Sequence, residues 1–492
     1  MPGPSHTAGV PAGAVAAAPL LLTYDDVLLA PRRSSVRSRA DVSTRSRLTR
    51  TLSVAVPVVA ANMETVTEAR MAVAMARAGG VGVIHRFLTV GDQVAMVERV
   101  KRAENLVIEE PYRVAASATV GEARARMRAS DVSSLLVVDE DDRLAGILTP
   151  RDLRMDPPAD DPVLAHATPR DRLVTAPPDT DLETARELLH RHRVEKLPLI
   201  DDQGRPAGLI TVRDLIALRE RPHASKDARG RLLVGAAVGV RGDYLERSAA
   251  LVAAGVDLLV LDIAHGHADH AVEALEGLRA DHPSTQLVAG NVATAHGADD
   301  LCRAGADAVK VGVGPGSVCT TRVVAGVGVP QLSAVIEAAG ACRPHGVPVI
   351  ADGGIRTPGD VAKAMAAGAE AVMVGNLLAG TEESPGTTVT RDGRPVKVYR
   401  GMASAAAAAR RMAVEGVEPP EGTEFTQVVP EGVESTVPYR GPVAAVVHDL
   451  VGGLRSSMSY ADARTIEEFQ ANARFVRITS AGLAESHPHG LR

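Results

Sequence analysis

Eight short runs rich in valine, alanine and isoleucine, most of them leading into glycine, asparagine or aspartate, do most to restrict how this chain folds. They lie at Val56–Ala61, Gly80–His85, Leu232–Val238, Asp257–Asp262, Gln286–Asn291, Ala308–Val313, Pro348–Asp352 and Ala371–Gly375. Each leads into a helix-like stretch. Uninterrupted apolar runs alternating with helices mark strands buried on both faces, as in a parallel sheet covered by its crossover helices. Eight such units predict a closed (β/α)8 TIM barrel, of the α/β class, rather than an open sheet. The helices agree: within 359–368, Val361, Ala364 and Met365 recur at helical period.

The second and third runs are far apart, and an internal repeat fills the interval. Ser134–Asp139 with Leu144–Leu153 returns as Lys196–Asp201 with Pro206–Leu215, so that Asp139 and Asp201, and Asp152 and Asp214, each stand 62 positions apart. Each copy opens on a helix with a threonine near its start, Thr119 or Thr180, expected as a cap. A Pro/Asp-rich connection, Met155–Pro169, joins the copies, and a charged segment, Arg219–Arg231, returns the chain to the barrel. The predicted domains are 1–100 and 226–492 for the barrel and 101–225 for the insert. The repeat resembles a tandem CBS pair. That resemblance implies adenine or guanine nucleotides, ATP or GTP, held at the ribose by Thr149 with Asp152 and by Thr211 with Asp214. A dimerising domain without ligand is the plainer alternative.

Composition removes other classes. Aromatic residues are 2% of the chain and tryptophan is absent, which argues against stacking platforms for single-stranded nucleic acid. A net charge of −6 offers no basic footprint for DNA or RNA. Three cysteines (302, 319 and 342) make no disulfide framework and no CxxC metal spacing, pointing to a reducing compartment. The apolar stretch near Ala14–Leu22 lacks a preceding basic residue, and no run reaches membrane-spanning length. A cytoplasmic protein without membrane partners is expected.

The chemistry concentrates at the loops after the last three strands. Val311–Gln331 is glycine-rich and carries Ser317, Cys319, Thr320, Thr321 and Arg322. Glycines there admit a ligand close to the backbone, and a polar, electropositive setting favours a cysteine thiolate. Cys302 and Cys342 read instead as small buried hydrophobes. The next two loops hold Asp352 with Gly354, and Gly375 with Asn376, where many barrels cradle phosphate on backbone amides. Asp352 suits two ribose hydroxyls. One DGG is often only a turn; three such loops at successive strand ends are a site.

Together with these loops, Leu22–Leu29, Lys226–Gly239, Asp262–His267, Gly290–Val292 and Tyr399–Met402 resemble the IMP dehydrogenase/GMP reductase family over almost the whole chain. The resemblance implies that Cys319 attacks carbon 2 of the purine. It implies that Ser317, Asp352, Gly354, Gly375, Asn376 and Tyr399 hold the nucleotide while Met402 meets the base. Asp262 and Asn291 would face the nicotinamide riboside. Carbonyls of Gly314, Gly316 and Cys319 would bind a monovalent cation such as potassium, completed by Glu485 to His487 of a neighbouring subunit. Family members resemble homotetramers that pair further, as octamers, through CBS domains.

Two reactions share the covalent intermediate of this family. A dehydrogenase oxidises IMP with NAD and hydrolyses the thioimidate to XMP; a reductase releases ammonia from GMP and delivers hydride from NADPH to give IMP. Hydrolysis demands activated water, which dehydrogenases draw from an arginine–tyrosine pair on a mobile flap. Residues 403–430 contain Arg410 and Arg411 but no tyrosine. That absence, with the reductase-like Ala60–Met63, favours a GMP reductase. Thr321 and Glu431 match the relay that protonates the departing amine, and Arg86 is a candidate for the 2′-phosphate of NADPH. His265–His267 and the C-terminal segment look dehydrogenase-like, so an IMP dehydrogenase using Arg410 or Arg411 with Thr423 or Thr426 is the alternative. A silent nucleotide-sensing scaffold is a third, opposed by the intact Cys319 loop.

Overall fold

The computed structural model describes residues 18–488 apart from 105–107, 109, 131, 408 and 411–428, and leaves aside the side chains of 214, 217 and 218. All eight apolar runs form parallel strands: β1 (Val58–Ala60), β2 (Val81–Ile84), β3 (Gly235–Val238), β4 (Leu258–Asp262), β5 (Gln286–Val292), β6 (Ala308–Val311), β7 (Val349–Asp352) and β8 (Ala371–Val374). They pair in chain order, and β8 pairs with β1 through Val372 and Val58, closing a (β/α)8 barrel. β2 joins β3 directly, Val83 opposite Gly235, although the insert separates them in sequence.

Every residue of β1, β2, β3, β6 and β8 is buried. Side chains on one face fill the barrel and those on the other meet the helices, so the usual alternation with polar residues is absent. Burial relaxes at the carboxyl ends of three strands, at Asp262, Asn291 and Asp352. There the barrel opens.

The helix after β7, Pro358–Ala366, shows how local sequence fixes an element. Thr357 caps it by accepting from the Asp360 amide at 3.3 Å, and Asp360 answers by accepting from the Thr357 amide at 3.0 Å. Such a cap contributes about 1 kcal/mol, and proline at the first turn suits the helical φ. Val361, Ala364 and Met365 are buried, as their spacing predicts.

Contacts divide the chain into two compact units, one of Met1–Glu98 with Val234–Arg492 and the other Arg99–Leu233. The repeat in the second unit is structural. Leu135–Val138 with Leu144–Leu148 is an antiparallel hairpin, and so is Lys196–Ile200 with Pro206–Thr211. Asp139 ties its turn by accepting from the amides of Asp141 and Arg143, and Asp201 does the same for Gln203 and Arg205. Asp142 and Gly204, again 62 positions apart, both take positive φ. The caps differ between copies. Thr119 caps Val120–Ser130 with Glu122 as expected. Thr180 does not cap Leu182–His192; its hydroxyl donates to the Pro177 carbonyl, and Asp181 accepts from the Thr184 amide at 2.9 Å. A carboxylate gains from the positive end of the helix dipole, which the neighbouring hydroxyl does not match. Among the described residues no helix is long and apolar enough to cross a membrane.

Candidate active site

A cavity of about 310 Å³ lies at the carboxyl ends of the strands. Loops after β1, β4, β5, β6, β7 and β8 line it, joined by Gly401–Ala403 and Glu431. It brings together Ser317, Cys319, Thr321, Asp352, Gly354, Gly375, Asn376, Tyr399, Met402, Glu431, Asp262, Asn291, Gly314 and Gly316. Candidates scattered over 170 positions of sequence thus share one mouth.

Cys319 is half-buried, and its sulfur lies 3.2 Å from Thr321 Oγ1. The Thr321 hydroxyl donates to Glu431 Oε2 at 2.8 Å. A hydroxyl already donating to a carboxylate keeps its lone pairs for a thiol proton, so the three groups form a proton path from sulfur to carboxylate. Backbone pairing holds it. The Thr320 amide donates to the Glu431 carbonyl at 2.9 Å and the Val433 amide to the Val318 carbonyl at 3.0 Å. Arg322 makes no hydrogen bond to Cys319 among the described residues. Its guanidinium donates to the carbonyls of Val313 and Val329 and ties off the base of the loop. The Gly316 carbonyl accepts from the Cys319 amide at 3.1 Å, closing the turn that carries the thiol. Among the described residues no cluster of three or more histidine, cysteine or acidic side chains could hold a metal ion. Backbone carbonyls such as those of Gly314 and Gly316 are a separate donor chemistry, one that suits monovalent ions.

Across the mouth, Asn376 Nδ2 donates to Ser317 Oγ at 3.2 Å, joining the loops after β6 and β8. Tyr399 ends the strand Arg394–Arg400 and is only 3% exposed. Burial pushes its pKa up to about 12, with a Ser317 hydrogen bond acting in the other direction. The phenol is therefore a proton donor across the physiological range. A Cβ at Gly375 would stand 2.8 Å from that hydroxyl and 3.2 Å from the Met63 sulfur, so only glycine fits beneath the ring.

On the cavity floor, Asn291 Nδ2 donates to the Gly312 carbonyl at 2.7 Å and to Asp352 Oδ2 at 2.9 Å. Lys310 Nζ also reaches Asn291, Asp352 and Asp262. Lys310 was not singled out from sequence, although a lone lysine in an otherwise apolar strand was the available signal. Glu64 is another residue that pattern did not mark. Its buried carboxylate takes Arg400 at 2.7 Å through Oε1 and Arg410 at 3.2 Å through Oε2. Arg411, Thr423 and Thr426 lie outside the described residues. Asn62, also lining the cavity, is buried. Arg86 is not brought to the mouth. Its guanidinium packs over the Phe87 ring at 5.3 Å and beside Gly239.

In the second unit, Thr149 and Asp152 close on each other, the threonine amide and hydroxyl both donating to Asp152 Oδ2 at 2.7 Å. Thr211 ends its strand and Asp214 follows on the helix Val212–Glu220; the Asp214 side chain lies outside what is described. Cys302 and Cys342 are buried hydrophobes as expected, their sulfurs 3.6 Å apart.

This geometry meets its counterpart among known proteins. The model of the IMP dehydrogenase / GMP reductase domain matches residues 21–489. The chain belongs to the IMP dehydrogenase/GMP reductase family. Within the family it is 49% identical to the inosine-5'-monophosphate dehydrogenase of Nitrosopumilus maritimus, over 96% of this chain and 98% of the relative. It is 51% identical to that of Aquifex aeolicus, over 96% of each. Among solved structures, a cysteine-to-alanine variant of Trypanosoma brucei GMP reductase in complex with guanosine 5'-monophosphate superposes with a TM-score of 0.91 at 46% identity. That match covers 97% of this chain and 99% of the other. The family's members are oxidoreductases of purine nucleotides that use a nicotinamide cofactor, and its relatives carry both of its names.

Proposed function

We propose that this chain is an NADPH-dependent GMP reductase, converting GMP to IMP and ammonia through a covalent bond between Cys319 and carbon 2 of the purine. The observation that carries the reading lies in the flap. Residues 403–430 hold no tyrosine, and Arg410, the one flap arginine described, is half-exposed at ion-pair distance from Glu64. A thioimidate shielded from activated water persists until hydride reaches it.

Ser317, Gly354, Gly375, Asn376 and Tyr399 bind the phosphate, Asp352 takes the ribose hydroxyls, and Met402 borders the base. As sulfur bonds to carbon 2, the thiol proton passes to Thr321 and the threonine proton to Glu431. The bond from carbon 2 to the exocyclic amine then breaks, and the proton returns along the same path to leave with ammonia. NADPH, when bound, supplies the hydride that frees sulfur from carbon 2 and yields IMP. Asp262 and Asn291 fit a nicotinamide riboside: both stand half-buried at strand ends beside the sulfur loop. Arg86 is left as the candidate for the 2′-phosphate. The second unit is a tandem CBS pair that binds ATP or GTP at Thr149/Asp152 and Thr211/Asp214 and regulates a cytoplasmic homo-oligomer.

IMP dehydrogenase is the second reading, favoured by the names of relatives 49–51% identical. Incubation with GMP plus NADPH, and separately with IMP plus NAD, decides between them. Ammonia release with NADPH consumption supports the reductase. Efficient formation of XMP refutes it.

A further inference from the structure

Lys310 is the third residue of β6, between Val309 and Val311, and is 2% exposed. An ammonium inside a barrel loses several kcal/mol of hydration unless its surroundings replace it. Here they do. Its three protons meet three acceptors on three other strands: Asn291 Oδ1, Asp352 Oδ2 at 3.0 Å and Asp262 Oδ1 at 3.5 Å. Burial works against the charged form, yet the Asp352 and Asp262 carboxylates outweigh it and leave the Lys310 pKa raised. The neighbouring strand makes room for the stem. A Cβ on Gly290 would stand 2.5 Å from the Lys310 carbonyl oxygen and 2.8 Å from its Cβ.

The consequence lies in what each partner has left. Only the amide oxygen of Asn291 can accept from an ammonium, so Nδ2 is forced toward the Gly312 carbonyl and Asp352. One oxygen of Asp352 carries both Lys310 and Asn291. Among the described residues the other oxygen has no hydrogen-bond partner, and the same is true of Asp262 Oδ2. Each carboxylate is thus fixed by one oxygen and offers the other to the cavity.

We propose that Lys310 is a positioning residue that locks the nucleotide-ribose carboxylate, Asp352, and the nicotinamide-facing pair, Asp262 and Asn291, into one unit, so that each ligand is bound best when the other is present. The ligand names rest on the family reading above. The coupling itself holds for either direction of the reaction. A purely structural lysine would behave differently: its removal would lower stability, as losing one partner of a buried ion pair does, without changing how one ligand affects the binding of the other.

The test uses the full-length protein with Lys310→Met and, as a second variant, Lys310→Gln. Calorimetry measures GMP and IMP binding alone, NADP+ or NAD binding alone, and each dinucleotide in the presence of nucleotide; thermal melting reports folding. Melting points fall, because removing one partner of a buried ion pair leaves its carboxylates uncompensated, so binding is measured at a temperature where the variant is still folded; there nucleotide affinity is at least about tenfold weaker from the loss of charge-assisted contacts and the mutual enhancement between ligands is reduced to near unity. In turnover, KM for both ligands rises alongside the fall in kcat. Should the Met variant not fold, the Gln variant decides on the same readings. A folded variant that retains both affinities and their coupling overturns the proposal, whichever reaction the wild type performs. A wild type whose ligands bind independently overturns it as well. Turnover of IMP with NAD in place of GMP with NADPH overturns only the reductase reading, since the binding arms then run with those ligands.

Discussion

Replacing Thr321 by valine keeps the shape of the side chain and removes one hydroxyl. Among the described residues that hydroxyl is the only hydrogen-bond partner of the Cys319 sulfur, at 3.2 Å, and it is the group joined to Glu431 at 2.8 Å. Without it, neither the thiol proton nor the proton needed by the departing amine has a path. General acid–base participation of this kind contributes about 10²- to 10⁴-fold, which is roughly 3–5 kcal/mol of barrier. The loss falls hardest on ammonia release, which needs both transfers. With enzyme in excess over GMP, quenched-flow measurement of ammonia in the first turnover slows by that factor. Hydride transfer approached from IMP and NADP+, read as the burst of NADPH, slows too, because sulfur must lose its proton there as well, but by less than ammonia release, since no amine is expelled. Nucleotide affinity by calorimetry is unchanged within about threefold. Glu431→Gln gives a loss of the same order, and the double variant is little worse than either single one, because the groups act as a unit. Ammonia release at the wild-type rate in the valine variant, or losses that multiply in the double variant, would refute the relay.

Tyr399→Phe removes a hydroxyl that donates to Met63 Sδ at 3.6 Å and that the proposed function assigns to the nucleotide phosphate. A hydrogen bond to a charged group is worth about 1.5–3 kcal/mol, so the Kd of GMP rises roughly 10- to 100-fold while the pH–rate profile below pH 10 keeps its shape, the phenol being protonated up to about pH 12. Gly375→Ala places a methyl 2.8 Å from the Tyr399 hydroxyl; nucleotide affinity falls at least about tenfold with the melting point nearly unchanged, a combination calorimetry and thermal melting read together. Asp227→Asn probes the second unit. Burial disfavours the Asp227 charge, but Lys101, 3.1 Å away and 4% exposed, and the Arg231 amide outweigh it, so the folded pKa is lowered. A lowered carboxyl pKa contributes stability above its unfolded value of about 4 and loses it as pH falls through the folded value. The variant therefore melts earlier than wild type at pH 7, by about 3 kcal/mol for a broken buried pair. The difference closes as pH drops below about 4.

The barrel was legible because its strands are buried on both faces, so apolar content alone traced β1 to β8. The loop carrying Cys319 was legible for a related reason: glycines and hydroxyls crowd where close approach of a ligand requires them. What pattern could not supply was direction. Arg322 stands three residues from Cys319, yet its guanidinium turns to the carbonyls of Val313 and Val329, and sequence proximity says nothing about that rotation. Thr180 lost the helix cap to Asp181 because adjacent residues compete for a single amide and the charged one interacts better with the helix end. Lys310 and Glu64 went unmarked because an ion buried in an apolar surrounding reads as noise until its partners, supplied by other strands and loops, are placed around it.

The two halves of the catalytic apparatus are built with different rigidity, and this bears on which reaction the chain supports. The segment Glu431–Val433 is fastened to the Cys319 loop by two backbone hydrogen bonds, so the Cys319–Thr321–Glu431 hydrogen-bond chain does not depend on flap side chains. Water activation, by contrast, depends on side chains the flap must bring to the sulfur. Arg410 Nη1 lies 3.2 Å from Glu64 Oε2, an ion-pair distance without hydrogen-bond geometry, while Glu64 Oε1 accepts from Arg400 at 2.7 Å. On the reductase reading proposed above, the absence of tyrosine from residues 403–430 is what favours expulsion of ammonia over attack by water.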